Sequence, residues 1–363
     1  MTAPDVGEQT PGEQTIAILY QALEPPVIGG ARKEAKPGGY SDSGADIGVA
    51  LLAAGCTLAT PVADPDPARV FDWVWPDTEA GIAAALDAGA TLLWANTVVF
   101  AGHPVEDASR KAWIVGPDPK AMQAIDDKAA TNARLLAAGL PVARSWLIDG
   151  DGDLDAQLAP FADRVPIVVK PLRGRGSQGV GVARTRAQLA AQVRDLAQSR
   201  RFGASIMLEQ FLPGQEITIT VMPAACRPGE TAPFALPPVR RFDQFDDVAP
   251  YNGDVPVSRN SAALTLGECA DPAIAAAIAA CEQAAALLEI RATMRIDCRA
   301  DGGGTYFLFD VNAKPNLTGS GRPGREDEDS LSTMAAAACG WSYPDFLLAA
   351  ARGAWRNTQD QQG

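Results

Sequence analysis

The chain has 363 residues, 47% hydrophobic and 21% charged, a composition that excludes a disordered protein and implies two or three packed units. Its formal net charge of −13 argues against a surface built for nucleic acid or anionic lipid. A single histidine, His103, and six scattered cysteines exclude histidine-rich metal centres and zinc motifs, and no Gly-x-Ser-x-Gly turn supports serine-hydrolase chemistry.

Residues 1–14 are polar and contain Pro and Gly, so they read as a flexible tail. They hold no apolar signal core, and no later run is long enough for a bilayer, so a cytoplasmic protein with buried free thiols and no membrane partner is expected. An apolar run at 15–20 predicts a buried strand. The loop 24–44 is rich in Pro and Gly and carries Arg32, Lys33 and Lys36; it reads as irregular, either a solvated surface or a wall meeting an anionic substrate. A helix at 45–54, a strand at 56–60, a helix at 78–88 and a strand at 90–94 alternate as in a parallel α/β unit over 15–112. No Gly-x-Gly-x-x-Gly follows the first strand, which disfavours dinucleotide binding. His103 follows a strand end, where open α/β sheets place ligands, and is a candidate substrate contact beside the plainer structural reading.

A second unit is expected over 113–212. Helices are read at 118–125 and 128–138, strands at 145–148 and 165–170, then a strand at 180–183 and a helix at 186–200. Between the strands runs Lys170-Pro-Leu-Arg-Gly-Arg-Gly-Ser-Gln-Gly179, not a Walker loop, but able to bring backbone N–H groups close to phosphate oxygens. Residues 213–363 form the third unit. Glu209 and Glu216 bracket a turn at Pro213-Gly214. The loop 240–261, with Arg240, Arg241, Tyr251 and Arg259, is long enough to suggest a lid. A helix is read at 271–289 and two more at 329–339 and 343–352.

Between these helices lies a hairpin, Met294 to Asn312. With a turn over Gly302–Thr305, Asp297 opposes Asp310 and Arg295 opposes Asn312, all four on one face, while Ile296, Cys298, Phe309 and Val311 face a core. Two carboxylates and an amide oxygen are hard ligands suited to Mg²⁺; the plainer reading is a solvated charged face.

Taken in order, Asp127-Lys128, Val168-Val-Lys170 with its glycine loop, Leu208-Glu209-Gln-Phe-Leu-Pro-Gly-Gln-Glu216, Arg295-Ile-Asp297 and Asp310-Val-Asn312 resemble the ATP-grasp superfamily, most of all the D-alanine–D-alanine ligase branch of carboxylate–amine ligases. The resemblance covers roughly 113–352 and implies an α/β fold, α+β in its ATP-binding part. That architecture has three units, an N-terminal parallel α/β domain before ATP held between two α+β units. It further implies that Lys128 and Lys170 contact ATP phosphates under the loop carrying Ser177. Glu209, Phe211 and Leu212 would form the adenine hinge, with Glu216 on the ribose. Asp297, Asp310 and Asn312 would hold two Mg²⁺ ions, or Mn²⁺ in their place, and Arg295 would stabilise an oxyanion. The implied activity is ADP-forming ligation of a small-molecule carboxylate to an amine through an acyl phosphate; a homodimer is compatible with it. The alternatives are an ATP-grasp phosphotransferase or carboxylase, or a nucleotide-binding regulator without turnover. The chain departs from the family pattern at Asp310, usually glutamate, at Asn316, usually glycine, and in a longer segment 318–325. Arg32, Lys36, His103, Tyr251, Asn316 and Arg322 are the candidate substrate residues.

Overall fold

The computed structural model describes residues 13–33, 37–174, 176–248 and 256–357. Lys36, Tyr251 and most of the expected tail lie outside the described residues. Three sheets organise the rest. In the first, Thr15–Tyr20 pairs in parallel with Leu92–Asn96, which pairs with Trp113–Val115; Thr57–Leu58 and Val74–Pro76 share the other edge of Thr15–Tyr20. The inner strands are buried on both faces, which is why they read as continuous apolar runs rather than alternating ones.

Ser41–Ala53 packs on this sheet and begins four residues before the expected helix. Gly38, Gly39 and Tyr40 all have positive φ, and this left-handed turn admits the early helix start. Gly39 also has no room for a Cβ, which would lie 2.0 Å from the Gln21 carbonyl oxygen. The preceding loop is not wholly irregular, since Val27–Ile28 and Ala31–Arg32 form a small antiparallel ribbon over Gly29-Gly30.

The second sheet is antiparallel, in the order Gly181–Ala183, Ile167–Pro171, Ser205–Gln210, Ser145–Asp149, and its apolar face is covered by the helix Arg186–Ser199. The third runs Ser261–Ala263, Val239–Arg241, Glu216–Met222, Met294–Ala300, Tyr306–Asn312, also antiparallel, and packs on Pro272–Leu287. One chain thus passes from the second sheet to the third through residues 211–215, at the Pro213-Gly214 turn.

The helices Leu331–Ala338 and Tyr343–Arg352 return to the first sheet and share its core with Ser41–Ala53. Beyond them Trp355 pairs with Ile114 through two backbone hydrogen bonds of 2.8 and 3.0 Å, and its indole donates to the Gly116 carbonyl at 2.7 Å. No disulfide joins the six cysteines. Four are buried, Cys269 is half-buried and Cys339 is exposed, so the expectation of uniform burial fails at those two helix-end positions. Among the described residues no helix is long and apolar enough to cross a membrane.

Candidate functional site

A cavity of about 1440 Å³ opens where the three sheets meet. Its floor is the face of the third sheet. Strand alternation puts Glu216 and Thr218 of one strand, Arg295, Asp297 and Arg299 of the next, and Asp310 and Asn312 of the last on that face. Asp297 pairs with Asp310 and Arg295 with Asn312, as the sequence pattern predicts. The expected register holds at this end only. A bulge between Asp297 and Cys298 sets Cys298 opposite Leu308, leaving Phe309 unpaired. Phe309 therefore lines the cavity instead of facing the core with Cys298.

The face is densely charged and mostly closed to solvent. Asp297 is 6% exposed; it accepts the Thr218 hydroxyl at 2.7 Å and the Arg295 Nε at 3.2 Å. Asp310 is ion-paired with Lys128, the first residue of the helix Lys128–Ala137. Burial opposes the charge on Asp310, yet Lys128 and Lys170 outweigh it and hold the carboxyl down at about 2. Lys170 donates to Glu209 at 2.8 Å and to the Phe309 carbonyl at 3.0 Å, so the bulged residue also receives the second unit's lysine. Lys170 and Glu209 lie diagonally on neighbouring strands, both nearly inaccessible. Burial pushes Glu209 above the usual carboxylate range despite Lys170.

At the other end of the face, Glu216 accepts Gln244 Nε2 at 2.6 Å. Burial, then the charge of Asp297, raises its carboxyl to about 7 against Arg241, Arg299 and Arg295. Phe211 lines this end with the Arg184 and Arg299 guanidiniums 5.7 and 5.6 Å from its ring, and Leu212 is buried beneath. The glycine loop forms the roof: Gly174, Gly176 and Ser177 line the cavity, and Gly176, Ser177 and Gly179 all take positive φ. Arg173 fastens the loop to the start of the Lys128 helix, 2.8 Å from Asp127 and 3.5 Å from Asp126. Asp127 meanwhile caps that helix by accepting the Ala130 N–H at 3.0 Å.

Among the described residues no group of three or more His, Cys, Asp or Glu could hold a metal ion by itself. Asp297, Asp310 and Asn312 instead offer two carboxylates and an amide oxygen, with Lys128 and Arg295 already drawn against the acids. That set fits Mg²⁺, which takes one or two carboxylates and completes its shell with water and phosphate oxygens.

The substrate candidates divide. Asn316 lines the cavity, its Oδ1 accepting from the Thr318 N–H and hydroxyl at 3.3 and 3.0 Å. Arg32 is paired with Glu24 on the outer ribbon and does not line the cavity. His103 is a correction: it is 1% exposed and away from the cavity, with Nδ1 accepting the Val105 N–H and Nε2 donating to Asp77 at 3.1 Å. Asp77 also accepts the Thr97 hydroxyl and the Ala22 and Leu23 N–H groups, so this cluster ties the first strand's exit loop to the sheet. Arg322 is the second correction. Its Nε donates to the fully buried Asp46 at 2.6 Å, and Arg325 closes on the same carboxylate at 3.0 to 3.2 Å. Both arginines of the long segment are thus turned onto the helix Ser41–Ala53, and Arg325, not Arg322, reaches the cavity wall.

The sequence reading missed Asp46, Thr218, Lys314 and Asn96. A signal existed for Asp46, an acid inside the otherwise apolar Ala45-Asp-Ile-Gly-Val-Ala-Leu-Leu, and for Thr218, whose register partner is Asp297.

A family model described as D-ala D-ala ligase C-terminus matches residues 137–349. The D-alanine–D-alanine ligase of Gluconobacter oxydans is 31% identical over 228 residues, 61% of this chain and 65% of that protein. The corresponding protein of Chromohalobacter salexigens is 26% identical over 321 residues, 85% of this chain and 90% of its own length. The chain thus spans just under two thirds of the first relative and most of the second. Among solved structures, the D-alanine–D-alanine ligase of Bacillus anthracis complexed with ATP superposes with a TM-score of 0.62 at 15% identity, covering 92% of this chain and 94% of that one. The parallel first sheet followed by two antiparallel ones is the fold this likeness shows.

Proposed function

The chain belongs to the D-alanine–D-alanine ligase family of ATP-grasp proteins, and from that premise we propose that it is an ATP-dependent, ADP-forming ligase joining a carboxylate to an amine. One observation carries the reading. Lys128 pairs with Asp310, Lys170 reaches the adjacent Phe309 carbonyl, and Arg295 pairs with Asp297, all in a single roofed cavity. Three units at 15–112, 113–212 and 213–363 are proposed to frame it, with the strand Trp113–Val115 at the head of the second range pairing into the first sheet.

ATP would lie between the second and third sheets. Phe211 and Leu212 would hold the adenine with Glu209, and Glu216 the ribose. The triphosphate would run to Lys128 and Lys170 beneath Ser177. Asp297, Asp310 and Asn312 would hold two Mg²⁺ or Mn²⁺ ions, which when bound neutralise the β- and γ-phosphate charge.

A carboxylate has no good leaving group. Its oxygen attacks the γ-phosphorus, the bond to the bridging oxygen breaks, and ADP departs with the electron pair. The amine then attacks the carbonyl carbon of the acyl phosphate, the C–O bond to phosphate breaks, inorganic phosphate leaves with the electron pair, and the nitrogen loses a proton. Arg295 is fixed by Asp297 at 3.2 and 3.4 Å, so its guanidinium is already oriented when the tetrahedral oxygen acquires charge. The glycine loop excludes water that would hydrolyse the acyl phosphate.

The test is ADP release with ATP, Mg²⁺ and a panel of acids and amines, with hydroxylamine trapping of the acyl phosphate. Hydroxamate and an amide product are expected. ATP-binding protein that yields neither across the panel defeats the reading, and a phosphorylated product without ligation would replace it with phosphotransfer.

A further inference from the structure

Asp297 sits in the middle of a row of three side chains. The strand Met294–Ala300 lies between Glu216–Met222 and Tyr306–Asn312, and the register sets Thr218 opposite Asp297 on one side and Asp310 opposite it on the other. Directly opposed side chains on one sheet face are within reach of each other. The Thr218 hydroxyl donates to Asp297 Oδ1 at 2.7 Å, and both residues are buried, at 1% and 6% exposed.

The two sides of the row differ in regularity. Between Glu216–Met222 and Met294–Ala300 the pairing runs unbroken, from Glu216 opposite Arg299 to Val221 opposite Met294. Thr218 is flanked by Ile217 and Ile219, both fully buried in the core under the sheet. Its own β-branch leaves it few rotamers. On the Asp310 side the bulge starts at Asp297 itself, and a bulge bends its strand and re-aims the side chains beside it. The hydroxyl therefore ties the acid at the irregular position to the regular strand next to it.

That bond also limits a competing one. Arg295 meets the same carboxylate through Nε to Oδ1 at 3.2 Å and Nη2 to Oδ2 at 3.4 Å. A closed guanidinium–carboxylate pair has both bonds at about 2.7–2.9 Å. With the Thr218 hydroxyl on Oδ1 the pair stays open, and Oδ2 keeps only the longer contact. Resting on the metal face of the ligase reading above, we propose that Thr218 is the positioning residue for Asp297. Its hydroxyl holds the carboxylate available to Mg²⁺ instead of closed on Arg295. A hydrogen bond behind a metal ligand acts on metal affinity, and Thr218 itself exchanges no proton.

The experiment titrates Mn²⁺ into the full chain saturated with adenylyl imidodiphosphate, a nonhydrolysable ATP analogue, and follows binding by electron paramagnetic resonance. Thr218→Val should weaken Mn²⁺ binding about 10- to 100-fold, the range for losing a partner behind a metal ligand. Thr218→Ser keeps the hydroxyl and should recover most of the loss. Thr220→Val is the control: its hydroxyl is as deeply buried but donates to Ser332 at 3.1 Å, and Mn²⁺ affinity should stay at the wild-type value. In turnover, the loss should appear in the Mg²⁺ concentration for half-maximal ADP release, with KM for the acid unchanged. Thermal melting confirms that each variant is folded, and Thr218→Ala takes the place of Thr218→Val if that variant does not fold. Wild-type Mn²⁺ affinity in the folded hydroxyl-less variant overturns the proposal, as does an equal loss in Thr220→Val. Wild-type protein that binds Mn²⁺ with the nucleotide but releases no ADP with any acid overturns the ligase reading alone, since the titrations still decide the role of Thr218. Wild-type protein that binds no Mn²⁺ overturns the metal face and this proposal together.

Discussion

Asp46→Asn is the sharpest test of how the long 318–329 segment is held. Asp46 has no exposed surface and receives Arg322 Nε at 2.6 Å, Arg325 Nε at 3.0 and 3.2 Å and Arg325 Nη2 at 3.1 Å. Asparagine keeps the shape, removes the charge, and turns an N–H₂ toward guanidinium donors. Removing one partner of a buried ion pair costs about 3–5 kcal/mol, because the remaining charge stays buried. Arg322 keeps Asp42 at 3.2 Å and Arg325 keeps Glu328 at 3.7 Å, so the lower end, about 3 kcal/mol, is expected. That is a large part of a stability of roughly 5–15 kcal/mol. Urea unfolding followed by tryptophan fluorescence measures it. Asp42→Asn is the control: its side chain is 65% exposed and its loss should cost about 1 kcal/mol or less. An Asp46→Asn loss below about 1 kcal/mol, or no coupling to Arg322→Gln in a double-mutant cycle, would refute the argument.

Three other outcomes are expected. Asp297→Asn should lower kcat by at least about 100-fold while nucleotide still binds, measured by ADP release and calorimetry; unchanged turnover would remove the proposed metal face. Glu216 has a carboxyl raised from 4.5 to about 7, so the folded state holds its proton more tightly than the unfolded chain does. Its stabilisation is complete below pH 4.5 and is lost as pH rises toward 7, on the order of 3 kcal/mol in all. Glu216→Gln should flatten that slope and raise the unfolding midpoint at pH 8 relative to the wild type. In Gly321→Ala the new Cβ would stand 2.2 Å from the Asp46 carbonyl oxygen, so the loop must shift, costing about 1–3 kcal/mol in thermal or urea unfolding.

The sequence carried the long helices because they obey a simple period. Lys128–Ala137, Arg186–Ser199 and Tyr343–Arg352 fall within one or two residues of the expected spans. Asp297 faces Asp310 through two offsetting departures: the turn is Asp301–Thr305, one residue longer than Gly302–Thr305, and the bulge restores the register. The bulge that turns Phe309 toward the cavity follows from no period, since adding one residue to a strand leaves the composition unchanged. Val74–Pro76 escaped notice because a three-residue strand ending in proline carries almost no pattern. His103 misled because a strand-end histidine can meet a ligand or an internal acid, and only Asp77, 26 residues away, decides which. Arg322 misled for the same reason: its partner Asp46 lies 276 residues earlier, beyond any local signal.

The Ile114–Trp355 pairing bears on how the protein is made. A ribosome delivers the first sheet long before it delivers residue 355. Until then the strand Trp113–Val115 has an open edge, and the face later covered by Leu331–Ala338 and Tyr343–Arg352 is bare apolar surface. The nascent first sheet is therefore open to strand-to-strand association with other chains until residue 355 is made. Trp355 ends that interval by taking the edge with two backbone hydrogen bonds, so the first sheet is completed only once residue 355 arrives.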